Sequence, residues 1–317
     1  MRVSVVMTVL NEAASLPAVL ETLMAQTRQA DEIVIVDGGS TDGSQDLLRA
    51  SQAYLPLRLA EARGANISRG RNLAIHEATG DVIAATDAGV RLPTDWLERL
   101  IEPFTDPTVS HVAGFFISDP RTVFEAALGA ATLPDVEEIR PESFLPSSRS
   151  VAFRKEVWLQ AGGYPEWLDY CEDVVFDLSV KAQRGPFRFA PGACVSFRPR
   201  PDLAAFYRQY YRYARGDGKA DLFLKRHVVR YATYLIGLPA ILWGALTISP
   251  WIWLVGLVGG GVYASRALAR LTRIWANYDV RDRLRMLFWL PVILFTGDLA
   301  KMLGYPAGVV WRWRHPR

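Results

Sequence analysis

Cysteine is nearly missing from this chain, with only Cys171 and Cys194 among 317 residues. Two cysteines exclude a disulfide-built scaffold. They also lack the spacing of a metal knuckle, so the soluble part is expected in a reducing compartment. Histidine is sparse too, and His76, His111 and His227 show no ligand spacing, which leaves them structural or surface residues. No Gly-x-Gly-x-x-Gly follows the first apolar run and there is no P-loop lysine, which counts against dinucleotide-dependent dehydrogenases and P-loop kinases. Internal repeats, low-complexity tracts and heptad runs are absent. The apolar run at residues 3–10 ends at Asn11 and Glu12, too short for a secretory core, and reads as a buried strand. Finally, residues 231–265 contain no charge of either sign, interrupted only by Pro239 and Pro250. Soluble helices seldom run so far without charge, and the stretch exceeds one membrane span.

What is present divides in two. Half of the residues are apolar, enough for a large core and more than one domain, which excludes a disordered chain. The net charge of +3 is carried unevenly, because the C-terminal ninety residues are rich in Arg and poor in acids. That asymmetry suits anionic lipid headgroups and gives no reason to expect nucleic acid. We place the division near residue 225, with an α/β domain over 1–225 and a membrane region over 226–317. The latter is read as apolar helices at 231–248, 251–265 and 286–311, the first two joined by a turn at Ser249-Pro250. Arg266, Arg270, Arg273, Arg281, Arg283 and Arg285 face only Asp279 and Asp282, so the positive-inside rule puts that segment in the cytoplasm, as a hairpin requires. The third segment carries Asp298 and Lys301, three apart on one helical face, where they are expected to pair. Its tail, 312–317, is also basic, which conflicts with a single crossing; a re-entrant or interfacial helix would remove the conflict.

Residues 1–225 alternate β-rich runs with amphipathic ones, the pattern of a mostly parallel sheet flanked by helices. Strands are expected at 3–9, 33–36, 57–59 and 82–86. A first helix follows Ser15, with Pro17 in its first turn and Leu16, Val19, Leu20, Leu23 and Met24 on one face, and another covers 94–104. In such sheets ligands sit beyond the carboxyl ends of the strands. Those turns read Asn11-Glu12, Asp37-Gly38-Gly39-Ser40-Thr41-Asp42 and Asp87-Ala88-Gly89. They gather carboxylates that accept hydrogen bonds from sugar hydroxyls or base N–H groups, and glycines that let backbone approach a ligand. Gly, Ser, Thr and Asp are also ordinary turn residues, so the combination carries the signal.

Together with Gly70-Arg-Asn-Leu-Ala74 and Cys171-Glu-Asp-Val-Val175, these stretches resemble the family 2 glycosyltransferases, which use a Rossmann-like GT-A fold. The resemblance covers roughly residues 1–225. It implies an enzyme that moves a sugar from a nucleotide-sugar, a UDP-sugar being expected, to a lipid-linked or other saccharide acceptor at a membrane, in cell-envelope polysaccharide biosynthesis. It further implies that Asn11, Glu12, Asp37, Gly38 and Asp42 lie around uracil and ribose, with Arg71 and Asn72 near the nucleotide or diphosphate. Asp173, beside Glu172, would be the general base of a single inverting displacement. At Asp87-Ala88-Gly89 the sequence departs from the family's Asp-x-Asp: Asp87 remains for ribose or for a metal, but Gly89 replaces the expected ligand of Mg2+ or Mn2+. Arg91, Arg198, Arg212 and Arg215 are the alternative means of stabilising the leaving diphosphate. Gln209-Tyr-Tyr-Arg-Tyr213 is similar to the Gln-x-x-Arg-Trp motif of processive synthases, with Tyr for Trp, and suits an interfacial helix equally. Gln209, Arg212, Tyr213 and Arg215 are the candidates for acceptor or diphosphate contacts. A multi-pass membrane enzyme with its catalytic domain in the cytoplasm is the expectation; a processive synthase and a noncatalytic scaffold are the alternatives.

Overall fold

A computed structural model describes residues 1–315. Pro316 and Arg317, the end of the basic tail, lie outside the described residues. The chain forms two compact units, Met1–Asp119 with Asp135–Arg198, and Pro120–Pro134 with Pro199–Arg317.

The first unit contains β1 (Val3–Val9), α1 (Leu16–Met24), β2 (Glu32–Asp37), α2 (Ser44–Ser51), β3 (Leu57–Glu61), α3 (Ile67–Glu77), β4 (Val82–Ala85), β5 (Val90–Arg91), α4 (Trp96–Ile101) and β6 (His111–Ser118). The chain leaves for α5 (Val123–Thr132) and returns with β7 (Val151–Arg154), α6 (Lys155–Ala161), α7 (Glu172–Arg184) and β8 (Arg188–Phe197). One eight-stranded sheet runs β3-β2-β1-β4-β7-β6-β8-β5. Its first four strands are parallel, and β1, β2 and β4 are buried along nearly their whole length, as strands covered on both faces are. Val3, Val5, Met7 and Val9 pack towards Leu16, Val19, Leu20 and Leu23 of α1, whereas Val6, Val34 and Val36 pack towards Ala74, Ile75 and Phe176 on the other face.

The other half of the sheet is mixed. β7 is antiparallel to β4 and β6, β8 is parallel to β6, and β5 is antiparallel to β8. These strands are short or irregular, β6 and β8 slipping register between Ala113 and Phe115, so they show little periodicity in sequence. Two local expectations change as well. Ser15 precedes α1 but does not cap it; its hydroxyl donates to the Glu12 carbonyl (3.1 Å) and to the Glu12 carboxylate. The 94–104 helix is split into α4 and a 3-10 turn, Glu102–Thr105, which starts where Pro103 has no N–H to continue the α ladder.

The second unit holds α5, α8 (Leu203–Ala220), α9 (Leu224–Ala232), α10 (Leu238–Thr247), α11 (Trp253–Ile274) and α12 (Val280–Arg314). The compositional division near 225 falls in the first turn of α9, inside this unit. Among the described residues, three stretches are long and apolar enough to cross a membrane: Leu224–Thr247, Pro250–Asn277 and Val280–Arg314. Asp298 does not pair with Lys301. It accepts from Arg230 Nε (2.7 Å) and from the hydroxyls of Tyr234 (3.0 Å) and Tyr263 (2.6 Å), while the Lys301 ammonium sits 4.8 Å from the centroid of the Tyr210 ring. The three-residue spacing allowed the contact, but a guanidinium and two phenols reach the carboxylate first.

α8 and α12 pack backbone to backbone. A Cβ on Gly304 would fall on the Tyr211 carbonyl oxygen, and one on Gly308 on that of Arg215. Nothing in either helix can yield without separating them, so Gly304→Ala is expected to lower the melting temperature by several degrees, read by thermal unfolding in detergent.

Candidate active site

The carboxyl edge of the parallel strands collects three turns, and hydrogen bonds sew the first two together. Asn11 follows β1 in the left-handed region (φ 56°), a conformation that asparagine tolerates better than most residues. Its N–H donates to Ser40 Oγ (2.8 Å) and its Oδ1 accepts from Thr41 N–H (2.9 Å). Glu12 N–H donates to Ser44 Oγ (2.9 Å), and Asp42 accepts from Ala13 N–H (2.9 Å) and from the Ser44 hydroxyl (2.5 Å). Asp37 is fully buried at the end of β2. Its Oδ1 accepts from the N–H groups of Gly39 and Ser40 (2.8 Å each) and from Gln45 Nε2 (2.9 Å). Burial opposes the charge, but these donors outweigh it and hold the carboxyl below its usual range. Asp37 thus shapes the 38–42 turn, and Gly38, Ser40 and Asp42 present its outer surface.

The third turn follows β4 and meets α3 and α7 through one side chain. Arg71, on α3, is 2 % exposed, with Nη1 3.1 Å from Glu172 Oε1 and Nη2 3.4 Å from Asp87 Oδ1. Its guanidinium also lies 4.9 Å from the centroid of the Tyr164 ring. Burial opposes the charge, but Tyr164, Glu172, Asp87 and Asp173 together hold Arg71 firmly protonated. Asn72, the next residue, turns the other way: Nδ2 donates to the Tyr164 carbonyl (2.8 Å), and Oδ1 accepts from Tyr164 N–H (2.8 Å) and Trp158 Nε1 (3.1 Å). It anchors the segment that leads into α7.

α7 starts abruptly because Cys171 is left-handed (φ 66°), an arrangement strained for a residue with a Cβ and one that gathers at functional sites. Glu172 and Asp173 therefore fall in the first helical turn, where the helix dipole favours anions. Burial dominates all the same. It raises Glu172, with Asp173 adding to the effect and Arg71 opposing it, and it raises Asp173 against the pull of Arg71. One turn on, Asp177 is buried and held well above the carboxylate range by desolvation and by Asp173. Glu172, Asp173 and Asp177 share this enclosure with one buried guanidinium, and all three hold their protons more tightly than free carboxyls. Glu172 is spent on Arg71, whereas Asp173 is only half-buried.

Two participants have no motif in the sequence. Arg149 lies with Nε 3.9 Å from Asp87 Oδ2 and its guanidinium 4.3 Å from the centroid of Phe197, at the loop before β7. Asp177 is the other. A stray Arg in a loop and an acid inside an amphipathic helix look like surface charge until folding encloses them. Gln209, Arg212, Tyr213 and Arg215 lie on α8 in the second unit, where Gln209 Nε2 donates to the Tyr213 hydroxyl (2.8 Å).

Residues 4–150 match the model for glycosyl transferase family 2. Residues 4–150 therefore form a family 2 glycosyltransferase domain. A succinoglycan biosynthesis protein, ExoA of Rhizobium meliloti, is 25 % identical over 82 % of this chain and 84 % of its own length. The undecaprenyl-phosphate 4-deoxy-4-formamido-L-arabinose transferase of Aeromonas hydrophila is 37 % identical, but over only 32 % of either chain. A mannosyltransferase from Pyrobaculum calidifontis, solved with GDP-Man and Mn2+, covers 99 % of this chain and 88 % of its own at 20 % identity, with a TM-score of 0.57. At that identity the likeness speaks for the GT-A fold.

The glycosyltransferase's strand-four turn does not suit a conventional divalent site. Asp87, 31 % exposed, is its only carboxylate, and its two oxygens face Arg71 and Arg149. Gly89 has open space where a side chain would stand, so the second ligand is lacking by sequence and not by crowding. Among the described residues no three His, Cys, Asp or Glu side chains are grouped to hold a metal.

Proposed function

We propose that this glycosyltransferase moves a sugar from a nucleoside diphosphate donor to a hydroxyl of a membrane-associated, lipid-linked acceptor, with inversion at the anomeric carbon. The observation that carries this reading is the Arg71 bridge. It joins Asp87, after β4, to Glu172, at the start of α7, and so sets the half-open Asp173 across from the strand-end turns. Asn11, Glu12 and Asp42, fixed by hydrogen bonds to Ser40, Thr41, Ser44 and Ala13, form the rim for base and ribose, and Asp87 offers its exposed edge to a ribose hydroxyl. Asp173 removes the acceptor's proton as the hydroxyl oxygen attacks the anomeric carbon. The bond to the diphosphate breaks in the same step, and the diphosphate carries away the electron pair. Arg149 faces the charge that then develops, in the role that preorganised cations and donors fill in group transfer. The aromatic and basic face of α8 suits a phosphate-linked saccharide, and the apolar helices keep the enzyme beside it, with the catalytic unit in the cytoplasm. The relatives' printed names, one for succinoglycan biosynthesis and one for undecaprenyl-phosphate transfer, support an acceptor of this kind.

The test is a thermal-shift series with UDP-, GDP- and dTDP-sugars, each with and without Mg2+ or Mn2+, followed by transfer assays on lipid-linked saccharides. A donor at a hundred times its Kd stabilises the fold by about 2.7 kcal/mol, a shift of several degrees. Failure of every nucleotide-sugar to shift the transition would overturn the reading. Addition of a single sugar would separate it from a processive synthase, which would lengthen the product.

A further inference from the structure

α12 has two faces along its whole length. Met286, Leu290, Ile293, Ala300, Gly304 and Gly308 are buried, whereas Leu284, Phe288, Phe295, Leu299, Leu303 and Val310 are exposed. The exposed residues recur at four and seven, so they form one apolar stripe along the helix. The elements that cover the buried face meet it with apolar side chains and backbone, but one of them brings charge with it. α5 packs on the N-terminal half, Phe124 meeting Trp289 edge-on with centroids 5.0 Å apart, and α8 packs on residues 297–308. α8 carries Arg208, Arg212, Arg215, Asp217 and Lys219 within that length. If α12 crossed the bilayer, it would draw these charges into hydrocarbon, where each is costly.

A second observation fixes the depth of the helix. Asp298, the midpoint of α12, is held by Arg230, Tyr234 and Tyr263. Arg230 is the last charge before the uncharged run, and Tyr263 stands three residues ahead of Arg266, the first charge after it. The middle of α12 is therefore level with the points where the α10–α11 hairpin enters and leaves the apolar layer. A spanning helix would have its middle level with the middle of the hairpin. The ends agree, since Arg281, Arg283 and Arg285 mark one and Arg312 and Arg314 the other, and Arg312 pairs with Asp221 (2.5 Å) in the turn between α8 and α9.

We propose that α12 lies in the plane of the membrane interface, its stripe in the acyl region just below the headgroups. The chain then crosses the bilayer twice, through residues 231–248 and through α11, and the C-terminal end of α12 lies on the side on which α9 begins. This arrangement removes the clash between two basic ends and one crossing, and it stands whether or not the transferase reading holds.

Depth-resolved spin labelling of the full chain in liposomes containing anionic lipid tests it. Leu284→Cys and Leu303→Cys carry the label, and the signal of the parent chain with Cys171 and Cys194 is subtracted. Both positions are expected at equal, shallow depth, accessible to oxygen and only slightly to a water-soluble nickel reagent. A crossing helix would separate them by about 29 Å along the bilayer normal, at 1.5 Å per residue, and that result overturns the proposal. Strong collision with the nickel reagent at both positions, showing that the stripe faces water, overturns it too. Protease protection of a C-terminal epitope supplies a second reading: cleavage from the same side as an N-terminal epitope is expected, and cleavage from the opposite side refutes the in-plane helix.

Discussion

Asp173→Asn is expected to lose turnover by roughly a hundred- to ten-thousand-fold, the usual worth of a positioned general base, while nucleotide-sugar still raises its melting temperature as in the parent. The substitution is nearly isosteric and removes the proton acceptor from a half-open position, so its effect falls on the chemical step and not on donor binding. The pH dependence gives an independent check. Burial raises the Asp173 carboxyl, and the base works only when deprotonated, so activity of the parent should fall as pH is lowered through a value above the ordinary carboxylate range. Transfer rates of both proteins across pH, on one defined acceptor, decide the matter. Unchanged turnover in the variant removes Asp173 from the role.

Arg71→Met should cost the fold about 3–5 kcal/mol, the range for removing one partner of a buried pair and leaving the other charge uncompensated. Here two carboxylates, Glu172 and Asp87, lose their guanidinium at once. The loss should depend on pH in a defined direction. Without Arg71 the buried acids bind protons still more tightly in the folded state than in the unfolded chain, and a raised folded pKa gives a contribution that is present at low pH and lost as pH rises. The deficit relative to the parent is therefore smallest in mild acid and grows towards neutral and alkaline pH. Chemical denaturation at several pH values measures it. A pH-independent deficit would mean that Arg71 acts by packing on Tyr164 and not by charge.

The parallel half of the sheet was readable because β1, β2 and β4 are apolar runs rich in Val and Ile that stop at polar turns, whereas β3 was marked only by Leu57 and Leu59. The mixed half was not: β5 has two residues, and β6 and β8 are bent by a register shift. The site divided along similar lines. Asn11, Asp37, Asp42, Asp87 and Glu172-Asp173 stand directly after strands or at a helix start, where local sequence marks them. Arg71 and Asn72 were marked as a pair, yet they face opposite ways on α3, one into the acid cluster and the other into the 162–168 segment. Arg149 and Asp177 carry no local mark.

Sequence by itself determined strands β1, β2 and β4, which turns are polar, that apolar helices follow the α/β part, and that the strand-four turn has a single carboxylate. Each of these is a property of neighbours along the chain. Only the tertiary structure decided that Arg71 holds Asp87 and Glu172 together, that Asp298 takes Arg230 in place of Lys301, and that the middle of α12 sits level with the mouth of the hairpin. Those outcomes join residues 16, 101 and 68 positions apart, and a buried charge takes whichever partner the packing brings within reach, which spacing along the chain does not specify.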